Sequence, residues 1–193
     1  MIACLIPPHS FLPNSGIIVH PNINDIAKNA VQYRKLITYL AAVFNSFVFD
    51  FLIRSRISMN LNFFYVYQTP VPVYKDQQIT EELLNITTRL SCVDDRYDGF
   101  ASTFGLTPKS IDMHERISLT SKLNALVALL YGVSREQFSI ILKTFNAVQE
   151  DENILSMGDD IEWNDVLIRK FNGEVQNRVL QDFDEYEEMY KVA

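Results

Sequence analysis

The sequence is poor in the residues that carry chemistry. Its two cysteines, Cys4 and Cys92, and its three histidines, His9, His20 and His114, are scattered. No Cys-X-X-Cys or His-X3-His spacing occurs, which excludes a disulfide framework and leaves no metal-site signature. Two such thiols are expected to lie buried in a reducing cytoplasm. The six glycines all stand apart from one another, so nothing resembles a phosphate-cradling loop, and no Ser/His/Asp constellation takes its place. Six glycines and seven prolines in 193 residues also exclude a low-complexity or disordered chain.

Long apolar runs are lacking too. The stretch 36–53, LITYLAAVFNSFVFDFLI, is the one place to ask about a membrane. Asn45, Ser46 and Asp50 interrupt it, and an aspartate at mid-bilayer costs about 2.5–3.5 kcal/mol. A core helix of a soluble, cytoplasmic protein is the expectation, with no membrane partner. The opening MIACLIPPHS has no basic region ahead of its apolar residues and does not read as a signal peptide.

Positive charge is in short supply over the whole chain, whose net charge is −7. That disfavours indiscriminate binding to nucleic acid. The balance is uneven, however. Residues 1–76 hold Lys28, Arg34, Lys35, Arg54, Arg56 and Lys75 against Asp25, Asp50 and Asp76, a net +3 that leaves −10 for the remainder. A basic front half permits a DNA-facing surface built from that half alone.

At 48% hydrophobic the chain can bury a real core. The apolar runs 2–6 and 17–19, set off by Pro7-Pro8 and a Pro-Asn-Ser-Gly turn, predict two strands. Apolar positions from Val31 to Leu52 recur at helical intervals and predict one long, widely buried helix over about 29–54. A basic and polar turn, 54–60, follows, then a predicted strand over 61–67 that leaves through Pro70-Val71-Pro72 in extended conformation. Downstream the pattern is helical. Thr80 is the expected N-cap of one helix, a second runs over about 112–131 with Gly132 after it, and Ser134 with Gln137 forms a capping box for a third. Beyond Phe145 the sequence is acidic, with amphipathic sets at Trp163, Val166, Leu167, Phe171 and at Val175, Val179, Phe183, Tyr186. No Asp…Glu-X-Lys arrangement of a nuclease is present, and a solvated acidic helical tail is expected. The predicted class is α+β, a small mixed sheet with a long core helix, divided as 1–76, a helical region 77–146 and an acidic tail 147–193.

Two runs carry a resemblance. The stretch 45–72, NSFVFDFLIRSRISMNLNFFYVYQTPVP, resembles the specificity end of bacterial adenine-specific DNA methyltransferases of restriction–modification systems, often fused to an endonuclease. The stretch 121–145, SKLNALVALLYGVSREQFSIILKTF, is similar to a segment near the end of the same enzymes. Asn124 departs from the acid usual there, and Leu129 from a common histidine. With the opening IACLIPP the resemblance covers about residues 1–146, in the family's order. It implies that 1–76 is a target-recognition domain that reads double-stranded DNA and presents an adenine to a methyltransferase catalytic domain, upstream in the same polypeptide or on a separate chain.

The turn after the long helix can be read in two ways. Arg54 and Arg56 suit the negative end of a helix dipole as simple capping charges. Together with Ser58, Asn60 and Asn62 they also suit a DNA-facing loop, since arginine pairs bidentately with guanine or phosphate and asparagine with adenine. Lys28, Arg34 and Lys35 are the further candidates. The family's Asn-Pro-Pro-Tyr motif and glycine-rich donor loop are both missing, so the chain is expected to hold no catalytic residue, no cofactor and no metal. The alternative is an acidic helical module that binds protein and not DNA.

Overall fold

Hydrophobic residues on every side mark the helix that the others surround. In the computed structural model, which describes residues 3–7, 10, 18–19, 29–56, 63–145 and 173–190, all seven residues from 123 to 129 are buried. They lie in Met113–Leu130, the sixth of eight α-helices among the described residues. In chain order these are α1 (Ala30–Phe44), α2 (Phe47–Arg54), α3 (Phe63–Gln68), α4 (Gln78–Ser91), α5 (Asp98–Ala101, flanked by two short 3-10 turns), α6 (Met113–Leu130), α7 (Arg135–Lys143) and α8 (Gly173–Tyr190). A helical segment buried on all sides must be central, and α6, which holds it, is the helix that packs against α1, α2, α4 and α8. Ala125 and Ala128, both fully buried, let those neighbours approach closely. Phe47, Leu83, Leu126, Phe138, Phe145 and Phe183 fill the shared core.

The expected α+β class is thereby corrected, because no strand occurs among the described residues. The predicted strand 61–67 is helix from Phe63 onward. Its residues are apolar at odd and even positions alike, so alternation could not separate the two conformations. The structure resolves the ambiguity through Val66, buried on the core, and through the stacked i,i+4 rings of Phe63 and Tyr67. Of the predicted strands 2–6 and 17–19, the described parts form no regular element. The carboxamide of Asn45 stands in for a neighbouring strand: Oδ1 accepts from the Ala3 amide at 3.0 Å and Nδ2 donates to the Ala3 carbonyl at 2.7 Å. The Tyr97 hydroxyl donates to the Leu5 carbonyl at 2.8 Å and fixes the other end of this segment.

The single long helix expected over 29–54 is two helices, bent by 66° at Asn45-Ser46. Short polar side chains offer the backbone an alternative to helical hydrogen bonding, and both residues do so. Asn45 Nδ2 also donates to the Ala41 carbonyl, Ser46 Oγ donates to the Val43 carbonyl, and Ser46 Oγ accepts from the Phe49 amide as the N-cap of α2. A buried helix start leaves orphan amides. One of them, on Phe47, is satisfied from α6, where Asn124 Oδ1 accepts at 2.7 Å.

Local signals downstream act as their chemistry requires. Asp112 caps α6 by accepting from the Glu115 amide, and Ser134 and Gln137 form the reciprocal box at α7. Gly132, at φ 67°, ends α6. The Val133 amide donates to the Ala128 carbonyl and the Gly132 amide to the Leu129 carbonyl, the paired bonds of a Schellman turn. Thr80 is not the cap of α4. Gln77 holds that position without a side-chain bond, and Thr80 sits inside the helix, buried.

The acidic C-terminal part is not simply solvated. Of that part the structure describes α8, which lays Val179, Phe183 and Tyr186 onto α6 and α7. Polar contacts fix its register. Asp182 accepts from Ser121 on α6, and the Tyr186 and Tyr190 hydroxyls both donate to the carboxylate of Glu82 on α4. Arg178 donates to Ser118 at 2.7 Å, and Arg135 on α7 pairs with Asp184 at 2.6 Å. The set around Trp163 lies outside the described residues.

Candidate nucleic-acid interface

Of the eight residues proposed to face DNA, Lys28, Ser58, Asn60 and Asn62 lie outside the described residues. The other four are described, and all of them are engaged within the protein. Arg54 forks onto Asp50, with Nε 3.2 Å from Oδ1 and Nη2 2.9 Å from Oδ2. Its guanidinium also lies over the Phe145 ring, 4.8 Å from the centroid. Asp50 is only 2% exposed. Burial alone raises its carboxyl, but charged neighbours, Arg54 among them, outweigh that and hold it below the usual carboxylate range. Arg54 therefore neutralises a buried acid one helical turn away.

Arg34, on α1, donates to the Gly99 carbonyl and to Thr103, and stacks over Phe100 at 5.8 Å. It clamps the short turns around α5 to α1. Lys35 pairs with Asp76 at 3.1 Å, and Asp76 also accepts from the Tyr74 hydroxyl at 2.6 Å. The Tyr74 bond and the lysine together hold the Asp76 carboxyl low.

Arg56 is exposed, and among the described residues it donates one hydrogen bond, Nη1 to the Gln68 carbonyl at 2.6 Å. That carbonyl belongs to the last residue of α3, so the guanidinium is pinned at the C-terminal end of a helix whose other side chains are mostly aromatic. Sequence reasoning did not find the outward rings of α3. Phe63 is 42% exposed, Phe64 60% and Tyr67 75%, and Phe63 and Tyr67 stack with centroids 5.9 Å apart and planes 18° from parallel. A strand over 61–67 would have divided these rings between two faces. One signal was available: the 18 residues from 57 to 74 hold no charge, between Arg56 and Lys75.

The prolines after α3 anchor this surface to the core through their carbonyls. Tyr131 at the end of α6 donates to Pro70 at 2.9 Å, and Tyr39 of α1 donates to Pro72 at 3.1 Å. Burial pushes the Tyr39 phenol up to about 12.

Among the described residues no group of His, Cys, Asp or Glu is arranged to hold a metal ion. No single described helix is long and apolar enough to cross a membrane, and α1 with α2 qualifies only as a bent pair. The chain matches no protein-family model, no curated protein and no solved structure.

Proposed function

We propose that this chain is the DNA sequence-recognition region of an adenine-specific restriction–modification methyltransferase and serves a catalytic domain that it does not itself contain. The observation that carries the reading is the junction between the two runs that resemble that family. They are separated by about fifty residues of sequence and meet in one core. Asn124 accepts from the Phe47 amide, Phe47 packs edge-on against Phe145 at 5.0 Å, Arg54 covers Phe145, and Tyr131 reaches the Pro70 carbonyl. The acid usual at position 124 in the family would accept the same hydrogen bond, so this departure keeps the contact.

In this reading Arg56 is the DNA-facing part of the described surface, and the acidic α8 is turned to the core through its apolar stripe. The second reading, an acidic helical module that binds protein, is favoured by the exposed rings of α3. Selection from a pool of randomised duplexes at low salt separates them. The DNA reading predicts enrichment of a motif containing adenine. Recovery of unenriched sequences supports the protein-binding module.

A further inference from the structure

We infer that the outward face of α3, made by Phe63, Phe64 and Tyr67, is a stacking surface for unpaired nucleobases, with Arg56 on its rim to meet the adjoining phosphate. The inference rests on the DNA-recognition reading and adds the part of the ligand that this face would take.

Val66 seats α3 on the core, and Tyr65 is partly buried beside it. The same register turns three rings outward, where they gain nothing from water. Phe63 and Tyr67 are already stacked nearly parallel, so a planar partner extends a preformed stack from its outer ring. The charge pattern selects among partners. No charged residue occurs from 57 to 74, and the two that bound this run, Arg56 and Lys75, are both positive. The one buried carboxylate of α2, on Asp50, is matched by Arg54. Arg56 is tied to the Gln68 carbonyl, which holds its cation at the C-terminal end of the helix that carries the rings. An uncharged aromatic centre with a cationic edge complements a nucleobase on its phosphate. Every base offers a π-face, and such surfaces recognise unstacked nucleotides with little regard to sequence. A cationic partner finds no carboxylate on this run to pair with.

The test uses the full chain and two duplexes that differ only in one unpaired adenine, followed by fluorescence anisotropy. The parent is expected to prefer the duplex with the unpaired adenine. The variant Phe64→Leu/Tyr67→Leu keeps apolar bulk and helix propensity but removes two π-faces. It should lose that preference, by about fivefold or more for each ring, with binding to the paired duplex and the circular dichroism spectrum unchanged. Equal loss on both duplexes, or no loss on either, overturns the stacking role while leaving the DNA-recognition reading intact. The stacking role is overturned in the same way if the variant keeps its DNA preference and loses association with a protein. A parent that binds neither duplex overturns both.

Discussion

Replacing Asn124 with alanine probes the contact on which the packing of the two halves depends. Asn124 is fully buried, and its Oδ1 accepts from the Phe47 amide at 2.7 Å while its Nδ2 donates to the Thr120 carbonyl at 2.8 Å. The Thr120 carbonyl is inside α6 and keeps its helical partner when the side chain is cut back. The Phe47 amide is in the first turn of α2, where no preceding turn of that helix supplies a carbonyl. Leaving a buried donor unmet costs about 1–3 kcal/mol, and the small void left by the shortened side chain adds to it. A loss of about 2–3 kcal/mol is expected from these two terms. For a chain of this size each kcal/mol shifts the melting temperature by about 2–4 °C, so the midpoint should fall by several degrees. Asn124→Asp keeps the acceptor for Phe47 but loses the donor to the Thr120 carbonyl and buries a charge, so its cost should grow as pH rises through the carboxylate range. Urea unfolding of the three proteins measures this. Alanine within about 0.5 kcal/mol of the parent, below the ordinary cost of an unmet buried donor, would refute the claim that the α6 acceptor holds the start of α2.

Arg54→Ala should destabilise the fold by about 1–3 kcal/mol, because it strips a partner from a buried carboxylate, discounted for the exposure of the guanidinium; Arg56→Ala should leave urea unfolding nearly unchanged. A role for Arg54 as a DNA-facing cation that the fold can spare fails if that difference is seen. Asp182→Asn tests the α8 interface: burial raises the Asp182 carboxyl above its ordinary value, against the opposing hydrogen bond from Ser121. A carboxyl raised on folding contributes stability when protonated and loses it as pH rises through its folded value. The variant should therefore be the more stable protein at neutral pH, with its advantage shrinking as pH falls into the carboxylate range. An advantage that grows on acidification would contradict the assignment.

Signals confined to a few neighbouring residues were legible in the sequence. Ser134 with Gln137, and Gly132 after a run of apolar residues, each specify a bond between backbone and side chain or a left-handed turn that needs no distant partner. Features decided by distant partners were not. Asn45-Ser46 lies within an unbroken apolar periodicity, and its local bonds to Ala41, Val43 and Phe49 are joined by distant ones to Ala3 and Asn124 that no neighbouring residue announces. The run 61–67 is apolar on both faces, so its conformation was left to the core beneath Val66. The amphipathic spacing of Val179, Phe183 and Tyr186 was visible, yet its docking depends on Ser121 and Glu82 in other helices. The candidate site divides in the same way. Arg56 is read from its position after a helix, whereas the engagement of Arg54 with Asp50, at i,i+4, was there to be read as an ion pair.

The most direct test of a DNA-recognition role is a titration of the chain with a duplex carrying the selected motif, and with the same duplex scrambled, at several salt concentrations. A sequence-reading domain should bind the motif more tightly by about a thousandfold or more, with affinity falling linearly on a logarithmic salt scale. Arg56→Ala is predicted to change that slope by about one if it meets phosphate, or to relax discrimination at one position by about 1–3 kcal/mol if it reads a base. Equal affinity for the two duplexes, or no binding at the lowest salt, would contradict the DNA-recognition role.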